Sequence, residues 1–422
     1  MRVTIHQLQD IDATFTAPPS KSYTHRALIA GSLASGSSSI HCPLYADDTL
    51  ITLKALKLLG IRIEKAHDTI TIEGSDGILD CGRTTEIDMS DSGSSMRFLT
   101  SVALLCSSPV LLHGSTRLHE RPIGPLVRGL NALGGDISYV KREGFPPIEV
   151  KGHFRGGTAS IDSRQSSQYI SSILLAAPYA ASDTTLTTPY LPVSQSYIDV
   201  TVDVMRHFGA SLQSYENRVF TVKSGVHYRG TEYTIEGDYS SASYFFAIAA
   251  VCGGRTTVYS LNRATCQGDR VFLDALRAMG CSVSMNSDAI AIERQSPLSG
   301  IVINMSSSPD TVQTLSVVAA FATTSTTITG IEHLRVKESN RIQAMADILS
   351  SLGAHIEVRK NAIIISPGKL HGGHIDPRND HRTAMSLAVF GFGVGNLTID
   401  NAECVDKSNP TFWIELERSG LM

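Results

Sequence analysis

A few cations and hydroxyls recur at the openings of otherwise apolar stretches. Lys21, Ser22 and Arg26 follow Pro18-Pro19-Ser20 and gather two cations and a hydroxyl near one expected helix start. Arg97 closes the run Asp91-Ser92-Gly93-Ser94-Ser95-Met96-Arg97, and Arg121 precedes Pro122, which restricts its backbone. Ser166-Ser167-Gln168, and later Ser194 with Tyr197, supply neutral donors. Further along, Asp310 begins an apolar stretch. Lys337 and Arg341 are spaced i,i+4, which predicts one shared face of a helix start. Asp380-His381-Arg382 opens a last apolar stretch, and Lys407 follows in Lys407-Ser408-Asn409-Pro410. Guanidinium groups bind carboxylate and phosphate bidentately, and a helix N-terminus adds free N–H groups and the positive end of its dipole. The chemistry this set suits is the holding of small, multiply charged anions.

The elements that must position these residues form a repeat. Five segments end an amphipathic helix at a glycine and continue as an alternating strand. Their glycines, Gly60, Gly134, Gly209, Gly280 and Gly353, are spaced by 74, 75, 71 and 73 residues, and Gly420 ends a truncated sixth copy. Glycine at that place suits a left-handed helix C-cap. At the same period, six stretches (19–34, 90–105, 163–178, 237–251, 308–322 and 378–393) open on a polar, Ser- or Asp-rich turn. They then run apolar nearly all round, which predicts six buried helices. Six units of about 72 residues, each with its polar helix mouth turned to a shared space, divide three and three. The expected domains are residues 20–235, and 1–19 with 236–422, with the two chain crossings between them forming a hinge.

Composition excludes several classes. The 422 residues are 42% hydrophobic and 18% charged, an ordinary globular profile. Thirty-six Lys and Arg against 40 Asp and Glu leave a net charge of −4, which argues against a broad nucleic-acid-binding face. No apolar run approaches the roughly 18 residues of a membrane span, and the start lacks an apolar signal core, so a cytoplasmic protein is expected. Seven cysteines without a CxxC pair, and histidines without metal-ligand spacing, give no support for zinc or a disulfide framework. Gly391-Phe392-Gly393-Val394-Gly395 lacks the strand-before, helix-after setting of a dinucleotide site and reads as a turn. No metal or organic cofactor is expected.

Five separated motifs, in order, resemble the 5-enolpyruvylshikimate-3-phosphate synthase family of enolpyruvyl transferases. They are Ser20–Arg26, Ser92–Arg97, Glu120-Arg121-Pro122-Ile123, Gly237-Asp238 with Ser240-Ser241-Ala242-Ser243, and Arg335–Arg341. The resemblance implies a pair of inside-out α/β domains, each of three βαβαββ units, closing on substrate. It implies transfer of the enolpyruvyl group of phosphoenolpyruvate to the 5-hydroxyl of shikimate 3-phosphate, with release of phosphate and without cofactor; a monomer is expected, though no residue pattern fixes the oligomeric state. Shikimate 3-phosphate would be held by Lys21, Ser22, Arg26, Ser166, Ser167, Gln168, Ser194, Tyr197, Asp310 and Lys337. Phosphoenolpyruvate would be held by Lys21, Gly93, Arg121, Gln168, Arg341, Arg382 and Lys407. Asp310 is implied as the base, Glu338 as proton donor or relay, and Lys21 as a further proton carrier.

The chain departs from the family pattern at Asp91, where Asn is common, at Ser94 for Thr, and at Asn340 for Asp before Arg341. His333 stands where some members carry a substrate-binding Asn. Asp91, Arg97, His333 and His381 are therefore left without a fixed role. The sister enolpyruvyl transferase acting on UDP-N-acetylglucosamine carries a cysteine in a loop matching the Arg121 neighbourhood. Ser115 to Arg121 contains none.

Overall fold

The computed structural model describes residues 1–82 and 85–422. The chain divides into two compact units, Pro19–Ile235, and Met1–Pro18 with Glu236–Met422. In the 19–235 unit, three helices carry the apolar stretches: Lys21–Leu33, Gly93–Ala103 and Gln168–Ala176. In the other unit the corresponding helices are Tyr239–Cys252, Val312–Ala320 and His381–Val394. All fourteen residues of Tyr239–Cys252 are buried. A helix apolar all round can satisfy its surface only by being enclosed.

The strands do the reverse. Ile11–Thr16 alternates strictly between buried and exposed residues, so each such strand turns one face inward and the other outward. Helices inside and sheets outside make each unit inside-out. Five sheets share one order. A parallel edge strand joins a central strand, which pairs antiparallel with the second strand of a hairpin. Thr85–Asp88 beside Val110–His113, then Ile148–Gly152 and Gly135–Tyr139, is one example. The two chain ends of the 19–235 unit meet in one sheet, where Glu232–Thr234 pairs parallel with Ser37–His41. In the other unit, Ile11–Thr16 pairs parallel with Gly254–Tyr259. Arg2–Ile5 pairs antiparallel with Leu397–Asp400, completing a three-stranded sheet. The N-terminal 18 residues are thus built into the C-terminal unit.

The periodic glycines stand where helices stop. Gly60, Gly134, Gly209, Gly280 and Gly353 have φ between +89° and +107°, a region costly for any residue with a Cβ. Gly391-Phe392-Gly393-Val394-Gly395, expected as a turn, is instead the last turn of the His381–Val394 helix, with Gly395 just beyond it. Its glycines permit close packing. A Cβ on Gly393 would lie 2.4 Å from Val251 and 2.5 Å from the Phe321 ring.

Candidate active site

In the 19–235 unit most of the sequence-predicted residues lie at the mouths of the three buried helices, with Ser194 and Tyr197 at the start of the Gln195–His207 helix and Arg121 in a loop. Lys21 is the first residue of its helix, and its Nζ donates to Asp48 Oδ2 at 2.9 Å. Asp48, absent from the sequence-level site list, is buried near the start of Asp47–Leu58. Only the tandem acid at a helix start hinted at it. Beneath this pair runs a buried chain of hydroxyls. His25 Nδ1 meets Thr52 Oγ1 at 2.8 Å, Thr52 meets Ser95 Oγ at 2.8 Å, and Ser95 meets Ser92 Oγ at 2.8 Å. Burial, opposed by Asp48 and reinforced by Lys21 and Arg26, pushes the His25 imidazole down to about 3, so it is neutral.

Arg26 is 2% exposed and is tied down within the unit. Its Nε donates to Thr201 Oγ1 at 2.7 Å, while Nη1 and Nη2 donate to the carbonyls of Ser22 and Tyr197 at 2.8 and 3.0 Å. Its guanidinium also lies 4.8 Å from the Phe98 ring centroid. Ser22 and Tyr197, both partly exposed, are thereby fixed by one cation. Ser166 and Ser167 are buried at the opening of Gln168–Ala176, and Ser166 Oγ accepts from the Gln168 N–H at 3.2 Å. The Gln168 amide is oriented at both ends. Arg97 Nη1 donates to its Oε1 at 2.6 Å, and its Nε2 donates to Ser94 Oγ at 2.9 Å. Arg97, left without a role by sequence, therefore orients a candidate ligand residue. Ser194 takes a left-handed backbone, φ +54°, and its buried hydroxyl has no hydrogen-bond partner among the described residues.

Gly93 opens its helix against Arg121. A Cβ there would lie 2.6 Å from the Arg121 guanidinium, so glycine's missing side chain is what lets that cation sit over the helix mouth. Arg121 is buried and reaches the Asp91 carbonyl at 3.4 Å. The Asp91 carboxylate itself accepts from Ser115 Oγ at 2.9 Å.

In the other unit the cations meet carboxylates. Arg341, 2% exposed, opens the Arg341–Ser351 helix. It pairs with Asp310 at 3.0 Å, Glu338 at 2.8 Å and Asp380 at 2.9 Å. Burial alone would lower its proton affinity, but the three acids outweigh burial and raise it. Arg382 Nη2 pairs with the other Asp310 oxygen at 2.7 Å, and its Nη1 reaches the Asp310 carbonyl at 3.2 Å. Asp310 sits on the Pro309–Thr311 turn before the Val312–Ala320 helix and is held between two guanidiniums.

Asp380 was legible only as a helix N-cap, which it is. It accepts from the Arg382 N–H at 3.0 Å, from Ser339 Oγ at 3.0 Å and from Arg341. Burial works to raise its pKa, yet Arg341 and His381 hold it below the usual carboxylate value. His381 follows it, buried, with Nδ1 3.9 Å from Asp380 Oδ1.

Lys337 requires a correction. It does not share a helix with Arg341, because the chain forms a 3₁₀ turn over Glu332–Val336 and Lys337 is extended, with ψ −156°. The helix begins only after Asn340, whose side chain caps the Gln343 N–H at 3.3 Å. His333 is buried in that turn, and burial together with Lys337 and Arg341 pushes it down to about 3. Lys407 ends the Ala402–Lys407 turn and is buried. Among the described residues no cluster of His, Cys, Asp and Glu is arranged to hold a metal ion.

The family model for EPSP synthase (3-phosphoshikimate 1-carboxyvinyltransferase) matches residues 5–416. The 3-phosphoshikimate 1-carboxyvinyltransferase of Methanoculleus marisnigri is 53% identical over 422 residues, covering 100% of both chains. That of Methanoregula boonei is 52% identical over 413 residues, covering 98% of each. Among solved structures, an EPSP synthase from Acinetobacter baumannii superimposes with a TM-score of 0.85 at 28% identity, covering 100% of this chain and 98% of its own. With a match across nearly its whole length, the chain belongs to the EPSP synthase family.

Proposed function

We propose that this chain transfers the enolpyruvyl group of phosphoenolpyruvate to the 5-hydroxyl of shikimate 3-phosphate and releases inorganic phosphate. Besides family membership, the observation that carries the reading is Asp310. It is a carboxylate gripped by Arg341 and Arg382 at 3.0 and 2.7 Å, with Glu338 on the same Arg341. Cations that can hold an anionic substrate and acids that can move protons share one cluster.

In this reading Asp310 takes the proton of the 5-hydroxyl as its oxygen bonds to C2 of phosphoenolpyruvate. Glu338, with Lys21, delivers a proton to the methylene carbon, giving a tetrahedral adduct. The methyl carbon then returns a proton, the C2–O bond to phosphate breaks, and the enol ether and phosphate leave. Lys21, Ser22, Ser166, Ser167, Gln168, Ser194, Tyr197 and Lys337 hold shikimate 3-phosphate. Arg26 serves them through the carbonyls of Ser22 and Tyr197. Gly93, Arg121, Gln168, Arg341, Arg382 and Lys407, with Lys21, hold phosphoenolpyruvate. The unpartnered Ser194 hydroxyl supports a polar ligand at that helix mouth.

We further infer that the 19–235 unit, and residues 1–18 with 236–422, are separate domains, and that the active form is a cytoplasmic monomer. Among the described residues no helix is long and apolar enough to cross a membrane. The reading is tested by phosphate release from phosphoenolpyruvate with purified protein and each acceptor. Release is expected with shikimate 3-phosphate; release only with UDP-N-acetylglucosamine would reassign the enzyme to the sister reaction.

A further inference from the structure

One ionisable group near the Arg341–Arg382 cluster has no place in the mechanism above. Asp269 lies on the Gly268–Arg270 turn and is 4% exposed. Its two oxygens accept from hydroxyls on separate elements, Ser240 in the second position of the Tyr239–Cys252 helix and Ser308, at 2.6 Å, just before the Asp310 turn. Ser308 also meets Thr311 Oγ1 at 2.8 Å, so the turn is gripped from both sides of Asp310. A buried carboxylate is tolerated only with such donors, and these two come from segments 29 and 39 residues away.

We propose that Asp269 is a positioning residue for the reaction: its carboxylate fastens the turn carrying Asp310 to the Tyr239–Cys252 helix and sets a second negative charge close to the Asp310 carboxylate. The inference rests on the reading of Asp310 as the base.

The charge has a definite effect. A neighbouring anion favours the protonated form of Asp310, making it a stronger base, and so opposes the two guanidiniums that would weaken it. The influence is mutual. Burial first, then Asp310, pushes the Asp269 carboxyl up to about 6, against the hydrogen bonds of Ser240 and Ser308 and the charge of Arg382. These are the groups facing it from the adjoining elements. Arg270, on its own turn, donates instead to the Arg263 carbonyl at 3.1 Å. Asp269 is therefore expected to be ionised near neutral pH and to lose its charge just below.

The test is kcat against pH, measured as phosphate release with both substrates, for the full chain and for Asp269→Asn, Ser308→Ala and Asp310→Asn. The parent protein is expected to lose activity as pH falls through about 6. Asp269→Asn is expected to lower kcat about 10- to 100-fold at pH 8, with KM for shikimate 3-phosphate within about threefold, and to lose that acid limb. Ser308→Ala removes a donor to the charged form, so the limb is expected to move upward by about half a pH unit or more. Wild-type kcat with an unmoved limb in Asp269→Asn would overturn the inference. Should Asp269→Asn fail to fold, an unmoved limb in Ser308→Ala would do so. Asp310→Asn separates the two readings. If that variant turns over normally, the base assignment itself fails. If it is inactive while Asp269→Asn and Ser308→Ala behave as wild type, only the role of Asp269 falls.

Discussion

The two units hold their arginines differently, although Lys21 of the 19–235 unit does pair with a carboxylate, Asp48. In the 19–235 unit, Arg26 and Arg97 donate to hydroxyl, amide and carbonyl oxygens, and Arg121 reaches a carbonyl. In the other, Arg341 and Arg382 meet three carboxylates, Asp310, Glu338 and Asp380. A guanidinium resting on neutral acceptors keeps its full charge for an incoming anion. A guanidinium among acids is partly neutralised and, besides facing an anion, tunes those acids. The first arrangement suits holding a phosphate or carboxylate, and the second suits moving protons. The reaction needs both.

The largest effect should follow from breaking the carboxylate cluster. Arg341→Met leaves buried acids without their central partner and is expected to cost about 3–5 kcal/mol of folding stability, read from chemical denaturation. A loss below about 1 kcal/mol would show that the cluster is not held as an ion-paired unit. Arg121→Ala, in the 19–235 unit, should leave folding nearly intact. It should weaken kcat/KM for phosphoenolpyruvate by about 2–5 kcal/mol, the scale for removing a buried charge from its partner. An effect under about 0.5 kcal/mol would place Arg121 outside the site. Gly93→Ala puts a methyl 2.6 Å from that guanidinium and is expected to displace it. The cost should be about 1–2 kcal/mol, a roughly 5- to 30-fold rise in KM for phosphoenolpyruvate. An unchanged KM would mean that Arg121 can swing aside without loss.

The scaffold was legible in the sequence, whereas the contrast between the units was not. Glycines at an even period could be read as helix ends because φ near +90° is costly for residues with a Cβ, and apolar helices with polar mouths could be read as buried. Lys21 and Gly93 stand at such mouths, Arg121 stands in a loop before Pro122, and their ligand roles came from the family resemblance. The acids were harder. Asp48 and Asp269 are ordinary loop or helix-start acids until tertiary packing buries them, and nothing local marks that burial. Asp380 looked like a cap because it is one; its second duty to Arg341 spans 39 residues. The helix face expected to be shared by Lys337 and Arg341 does not form, because i,i+4 spacing implies one only within a single helix and Asn340 starts a new one. The Gly391–Gly395 run misled because glycine serves close helix packing as well as turns.

A further expected effect concerns pH. His25 in one unit and His333 in the other are both pushed down to about 3, chiefly by burial. Above pH 6.5 neither form binds the proton, so they contribute no pH dependence there. As pH falls from about 6.5 toward 3, the unfolded chain takes up protons that the folded chain refuses, and stability is lost. Asp269, raised to about 6, has the opposite sign and gains stability over part of that range, so the variants are best measured singly. His25→Asn and His333→Asn should each flatten the acid limb of stability against pH. An unaltered slope in both would mean that these imidazoles protonate within the fold.

The central claim, that the carboxylate-rich unit carries the proton chemistry while anion binding extends beyond it, is tested most directly with Asp310→Ala. Equilibrium binding of shikimate 3-phosphate and single-turnover phosphate release would be measured on the same sample. The account predicts binding within about tenfold of wild type and turnover reduced by about 10²–10⁴-fold, the range for a lost general base. Turnover at the wild-type rate would contradict it.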